Sequence, residues 1–334
     1  MANSGETVVV TGASGYIAAH VCDQFLKRGL GVVGTVRSAD KGAYLASLWK
    51  KYGDKFRYVV VPDMQVEGCF DEAASGCQGF IHVASPFFTE NVTDPMAQLV
   101  EPALKGTRNA LTAAQKAGCK RVVLTSSFAA VYRGSQPLPY LFTERDWNTD
   151  SKPEDGGDDS YMASKTLAEK SAWEFVKASN VGFDLVTMNP PLVVGPAIHN
   201  ASLTSLNTSL EMVHRYVSGH YAPDTIPKGG MGFVHVVDLA IAHVLAYTTP
   251  SASNNRFLIS DGVYSWQQVC DMIRAEYPAL RDVVPVGKPR EYPILEAIDN
   301  TKSKTELGMS YRGMKAILKE SVDQFLTMKG TGPV

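Results

Sequence analysis

Short apolar runs alternate with stretches of helical period through the first 190 residues. ETVVVTG (6–12), GVVGTVR (31–37), FRYVVVPD (56–63), GFIHVAS (79–85), KRVVLTSS (120–127) and FDLVTMNP (183–190) read as strands, being brief, β-branched and bounded by turn residues. Between them, IAAHVCDQFLKRG (17–29), MAQLVEPALKGTRNALTAAQKAG (96–118) and TLAEKSAWEFVKAS (166–179) space their apolar residues as helices do, and the first two stop at a glycine. Strands that alternate with helices in this way form a parallel sheet covered on both faces, with right-handed crossovers. The expectation is an α/β protein with a doubly wound parallel sheet, whose ligands bind beyond the carboxyl ends of the strands.

Further along, the period loosens. Residues 134–160 are rich in Pro, Gly, Asp and Ser and read as a surface excursion, and 199–232 mixes short helical pieces with turn signals such as APDTIPKGGMG. GFVHVVD (232–238) and RFLISDG (256–262) read as strands with a helix between them. The division that follows is a nucleotide-binding domain over 1–198, its sheet completed by about 233–262, and a smaller, discontinuous lobe over 199–232 and 263–334.

The first strand runs into VVVTGASGYIAAH, with Gly12, Gly15 and Ala18 three residues apart. A tight glycine turn at a helix N-terminus offers backbone N–H groups and a favourable dipole to a pyrophosphate, and a small third residue lets the helix pack close. A plain strand-to-helix turn would leave the same string, but not at the first strand of an alternating pattern. After the second strand, GTVRSADK puts Arg37 where an acidic residue would select NAD, with Lys41 one turn later; a cation there suits the extra phosphate of NADP. Asp63, ending the third strand, can reach an adenine amino group or merely cap a turn.

The fifth strand ends in Ser126 and Ser127, and 34 residues after Ser127 comes Tyr161, followed at i+4 by Lys165 on one helix face. Hydride addition to a carbonyl leaves an alkoxide that needs a proton. Moving a tyrosine pKa from about 10 to about 7 takes roughly 4 kcal/mol, and one charge at about 5 Å supplies about 3 kcal/mol. Lys165 with an oxidised nicotinamide would therefore make Tyr161 a proton shuttle near neutrality, while a serine hydroxyl polarises the carbonyl. Spacing alone does not carry this, because with fourteen tyrosines the pattern recurs at Tyr311 and Lys315, read as a helix surface. The order of glycine loop, Arg37, strand-end serine and then the pair favours Tyr161.

Bulk properties narrow the classes. The 334 residues are 45% hydrophobic and 20% charged with net charge -2, and the pI near 6.4 gives no basic stripe for nucleic acid. Five scattered cysteines without C-x-x-C spacing read as reduced, and no metal is expected. No run approaches the roughly 18 apolar residues of a membrane span. The N-terminus has no signal-peptide pattern, so the cytoplasm is the default and the sequons at Asn91, Asn200 and Asn207 read as chance.

These motifs, with NPPLVVGP, FVHVVDLA, HVASPF, EKSAWEFVK and PVGKP, resemble the extended short-chain dehydrogenase/reductases over essentially the whole chain, within the branch of yeast NADPH-dependent carbonyl reductases, plant dihydroflavonol reductases and cinnamoyl-CoA reductases. The resemblance implies a Rossmann-type fold, NADPH as cofactor, Ser127 as carbonyl-binding hydroxyl, Tyr161 as proton donor and Lys165 holding both tyrosine and nicotinamide ribose. It further implies a pyrophosphate cradle of Gly12, Ala13, Ser14, Gly15, Tyr16 and Ile17, and a 2'-phosphate site at Arg37 and Lys41. Other cofactor contacts would come from Asp63, Met64, Ala84, Ser85, Pro190, Leu192 and Val193. Phe87, Phe88, Phe128 and Tyr132 are candidates for the substrate pocket beside Ser127. Ala18 stands where many members carry glycine, Pro191 doubles the nicotinamide-side proline, and 199–232 matches least. The expected activity is reduction of a neutral ketone, aldehyde or keto ester by a monomer or homodimer. A nucleotide-sugar epimerase or dehydratase and a non-catalytic NADP sensor remain alternatives.

Overall fold

The computed structural model describes residues 5–85 and 92–330. In chain order the first half contains β1 (Thr7–Val10), α1 (Tyr16–Lys27), β2 (Gly31–Val36), α2 (Ala39–Leu48), β3 (Phe56–Val60), α3 (Asp71–Ala74), β4 (Gly79–His82), α4 (Glu101–Lys116), β5 (Arg121–Thr125), β6 (Leu141–Phe142) and α5 (Gly157–Ala178). The second half contains β7 (Asp184–Asn189), β8 (Leu192–Val194), α6 (Thr208–Val217), β9 (Gly230–His235), α7 (Val236–Thr248), β10 (Asn255–Leu258), β11 (Gly262–Ser265), α8 (Trp266–Glu276), β12 (Ala297–Ile298), α9 (Thr301–Glu306) and α10 (Met314–Met328).

Seven strands form one parallel sheet in the order β10-β7-β5-β4-β1-β2-β3. The order reverses at β1, which is the doubly wound Rossmann arrangement. All six strands expected before residue 190 belong to it. Their near-continuous apolar character has a physical cause: both faces are buried, so alternate residues enter different cores. Val8, Val10, Val32, Ile81, Val123 and Val186 face the layer containing α1 and α7. Val9, Val33, Phe80, Val122, Leu124 and Leu185 face that of α3, α4 and α5. The α1 and α7 core continues without a break into α6, α8 and α10 through Leu210, Val213, Trp266, Val269, Ile317 and Phe325. A three-stranded sheet, β11-β9-β8, and the parallel pair β6 and β12 complete the architecture.

Two elements depart from the sequence pattern. Residues 96–100 form a π-helical turn before α4, where one continuous helix was expected; Pro102, in the first turn of α4, has no N–H to carry the α-helical ladder through. GFVHVVD is strand only to His235. There the ring Nδ1 accepts the Val237 N–H at 3.1 Å, capping α7, whose first turn carries Asp238.

Buried histidines tie the sheet to its helices. The Thr11 hydroxyl accepts the N–H groups of Val83 and Ala84, both at 3.0 Å, so its own proton goes to His82 Nδ1 at 2.9 Å. His243 donates Nδ1–H to Leu239 O, and its Nε2 accepts from Thr125 Oγ1, both at 2.7 Å. Burial, and then the charge of Lys165, pushes His82 down to about 3; burial pushes His243 down to about 4. Both therefore bind fewer protons folded than unfolded. Their contribution is complete above the unfolded value of about 6.5 and is lost as pH falls through that value towards 4, at up to about 1.4 kcal/mol per pH unit for each ring. Urea unfolding midpoints measured from pH 7 to 4 are expected to decline steadily below 6.5, and a flat profile would contradict the protonation assignment.

Candidate active site

The glycine loop leaves β1 at the carboxyl edge. Gly12 has φ +66, and a Cβ there would meet Ala84 Cβ at 3.1 Å, so the turn needs glycine for both conformation and space. Its N–H donates to Thr35 Oγ1 at 3.1 Å, and Ala13 N–H donates to Thr35 O at 2.8 Å, which pins the loop to β2. Gly15 is the N-cap of α1, whose first N–H groups have no intrahelical acceptor.

This loop forms one wall of a cavity of about 1110 Å³, open to the surface. Gly12, Ser14, Gly15, Tyr16 and Ile17 line it at one end, with Arg37 and Lys41 exposed beyond β2. Ala13 is fully buried against β2 and is not a lining residue. Tyr16 donates its hydroxyl to Gly195 O at 2.8 Å, so its ring serves packing and its backbone faces the loop. Asp63 and Met64 also line the cavity; Asp63 Oδ1 accepts Gln65 N–H at 2.9 Å, the turn role that sequence left open. Ala84 and Ser85, which follow β4, and Pro190, Leu192 and Val193, which follow β7, line it as well. Phe87 and Phe88 lie outside the described residues.

Ser127, Tyr161 and Lys165 meet on the wall beyond β5, beside Phe128 and Tyr132. Asn189 Nδ2 holds Ser127 O at 3.1 Å and Phe128 N–H donates to Pro190 O at 2.8 Å, so β7 fixes the serine's backbone. Ser127 Oγ accepts Ala129 N–H at 3.1 Å and is hydrogen-bonded to Tyr161. Lys165 Nζ stands 5.8 Å from the Tyr161 ring centroid. Burial pushes the phenol up to about 12, against a lowering by Ser127, and pushes the ammonium down to about 8, against a raising by Glu169. The depression expected of Tyr161 beside Lys165 is thus absent: burial, opposed by Ser127, dominates, and the phenol lies above its usual range.

Sequence reasoning missed what lies under this pair. Glu169, one turn below Lys165 on α5, has a fully buried side chain. Its carboxylate accepts from Ser126 Oγ at 2.6 Å, Asn189 Nδ2 at 2.7 Å, Thr187 Oγ1 at 2.9 Å and Arg256 Nε at 2.7 Å. Ser126 is therefore committed to the interior. Arg256 also donates to Glu144 O at 2.7 Å and Asp146 O at 2.9 Å. The i, i+4, i+8 series Tyr161, Lys165, Glu169 was a usable signal; the partner strand, 87 residues on, had none.

The second Y-x-x-x-K behaves differently from its reading as a helix surface. Tyr311 precedes α10, whose N-cap is Gly313, and packs against the core with its hydroxyl 2.7 Å from Ser303 Oγ, whereas Lys315 pairs with Glu276 at 3.1 Å. Gly313, at φ +89, breaks the helix between them.

Among the described residues, no helix is long and apolar enough to cross a membrane, and no group of three His, Cys, Asp or Glu could hold a metal ion.

Strand order and a glycine loop at the switch point define a dinucleotide-binding α/β protein. The chain belongs to the NAD dependent epimerase/dehydratase family, whose model matches residues 8–260. It is similar to cinnamoyl-CoA reductase CAD2 of Medicago truncatula, 38% identical over 98% of each chain. It is similar also to ketoreductase azaE of Aspergillus niger, 36% identical over 98% of this chain and 99% of that one. The crystal structure of yeast methylglyoxal/isovaleraldehyde reductase Gre2 complexed with NADPH superposes with a TM-score of 0.91 at 33% identity, covering 97% of this chain and 99% of that one.

Proposed function

We propose that this protein is an NADPH-dependent carbonyl reductase that converts a ketone, aldehyde or keto ester to an alcohol. The observation that carries the proposal is one cavity with the Gly12 turn and two exposed cations at one end and the Ser127, Tyr161, Lys165 group on its far wall. The reductase relatives support the same reading. The cradle fits a dinucleotide: Gly12 leaves no room for a side chain, and the start of α1 offers N–H groups to a pyrophosphate.

When bound, NADPH supplies the hydride. Arg37 and Lys41 would hold the 2'-phosphate and the loop from Gly12 to Ile17 the pyrophosphate. Asp63 and Met64 would serve the adenosine, and Ala84, Ser85, Pro190, Leu192 and Val193 the rest of the cofactor. Ser127 hydrogen-bonds the substrate oxygen, Tyr161 gives that oxygen a proton, and the Lys165 ammonium stabilises the phenolate left behind. The burial that keeps Tyr161 protonated suits the reductive direction.

The test is NADPH and NADH oxidation, side by side, with a panel of neutral ketones and aldehydes. Turnover with NADPH is expected, and its absence across the panel, or tightly bound NAD in the purified protein, would overturn the reading. In the Arg37→Ala, Lys41→Ala double variant, KM for NADPH is expected to rise about 10- to 100-fold, since charge-assisted bonds to phosphate contribute about 1.5–3 kcal/mol. KM for NADH should move less than about threefold. An equal loss with both cofactors would remove these cations from the phosphate site.

A further inference from the structure

The charge lining the cavity is divided between its ends. Arg37 and Lys41 stand at the nucleotide end and Lys165 on the reacting wall, and no other lysine or arginine among the described residues lines the space. The lining outside the cofactor candidates includes Phe128, Tyr132, Met162, Met212 and Met231, the uncharged polar Asn207, Thr208 and Ser209 at the start of α6, and two carboxylates, Asp158 and Glu296. Asp158 lies in the first turn of α5, where the helix N-terminus favours a negative charge. Glu296 has no such reason to be there. It immediately precedes β12, is half-buried, and has no ion-pair partner among the described residues. Its charge bears directly on the pocket: the Tyr132 phenol is pushed up by burial and then by Glu296 and Asp150.

A substrate carrying a carboxylate near its carbonyl would lose water on entering this end and meet two like charges, with Lys165, beside Tyr161, as the one cation on that wall among the described residues. A neutral carbonyl meets no such opposition, and an ammonium group gains. We propose that Glu296, seconded by Asp158, is a specificity-determining residue that makes the site select neutral and cationic carbonyl compounds over those bearing a carboxylate. The proposal rests on the carbonyl reductase reading and names its substrate class.

Phenylglyoxylate and its methyl ester present the same ketone with and without the charge. NADPH oxidation by the wild-type protein is expected to give kcat/KM for the ester at least about 30-fold above that for the acid, about 2 kcal/mol. Because an ester is intrinsically the more reactive ketone, the deciding quantity is how that ratio changes. In Glu296→Gln the ratio should shrink about three- to tenfold. A ratio that stays within twofold of wild type overturns the proposal. A second measurement needs no variant: raising ionic strength from about 20 mM to 500 mM shortens the Debye length from roughly 20 Å to about 4 Å, and the wild-type ratio should narrow. A ratio indifferent to salt is equally fatal. Failure of the underlying reading would look different, as no turnover of either compound by folded wild-type protein.

Discussion

Tyr161→Phe is expected to lower kcat/KM for a neutral ketone by about 10²- to 10⁴-fold, the range supplied by a positioned general acid. NADPH affinity should change little, because the ring and its packing are retained while the proton is removed. The same geometry sets a pH dependence. Lys165 is pushed down to about 8 by burial, so its ammonium, and the phenolate stabilisation it provides, is present below that value and is lost as pH rises through it. The rate of reduction should accordingly be level below about pH 8 and fall above it. Steady-state kinetics of the variant and a wild-type pH profile check both statements; a Phe variant with near wild-type activity would remove Tyr161 from the chemistry.

Glu169→Ala is expected to destabilise the protein by about 3–5 kcal/mol, the usual result of removing one partner from a buried ion pair. The loss comes mainly from what remains. The Arg256 guanidinium, with only 10% of its side chain exposed, would keep its charge with no carboxylate beside it, and Ser126, Thr187 and Asn189 would lose their acceptor. Urea unfolding measures this directly, and a loss below about 1 kcal/mol would mean that Arg256 finds another partner. Glu169→Gln provides a separate reading of position. Because Glu169 raises the Lys165 pKa, the alkaline limb of the pH profile should move below about 8 in this variant, which a purely structural carboxylate would not cause.

What the sequence disclosed follows from where the information sits. The parallel sheet was legible because Val8, Val9 and Val10 are all buried, on alternate faces, so each strand reads as an unbroken apolar run. The same property hid the start of α7: His235, Val236 and Val237 are apolar or buried in either conformation, and only the cap at His235 separates strand from helix. Gly12, Arg37, Ser127, Tyr161 and Lys165 could be picked out because each follows a strand or shares one helix face. Their meeting in one cavity is a consequence of the strand order. Within the glycine loop the Ala13 methyl faces β2, a matter of side-chain direction that spacing does not carry. Arg256 and Glu296 were out of reach. Their roles depend on pairing between segments far apart in the chain, and neither stands in a local motif.

The strand that closes the sheet has a consequence for how this protein can be divided. β10 joins β7 only after the chain has passed through α6, β9 and α7, and it brings Arg256 to the Glu169 carboxylate, one turn below Lys165 and two below Tyr161. The segments before and after residue 200 are therefore not beads on a string. A fragment cut near residue 200 would lack the last strand and leave Glu169 without its counter-charge. Any transplant of the segments outside the seven-stranded sheet would have to be spliced on both sides of β10, keeping that strand with the host. Interlacing of this kind means that any exchange of segments must carry β10 and α5 together, so that Arg256 and Glu169 are inherited as a pair.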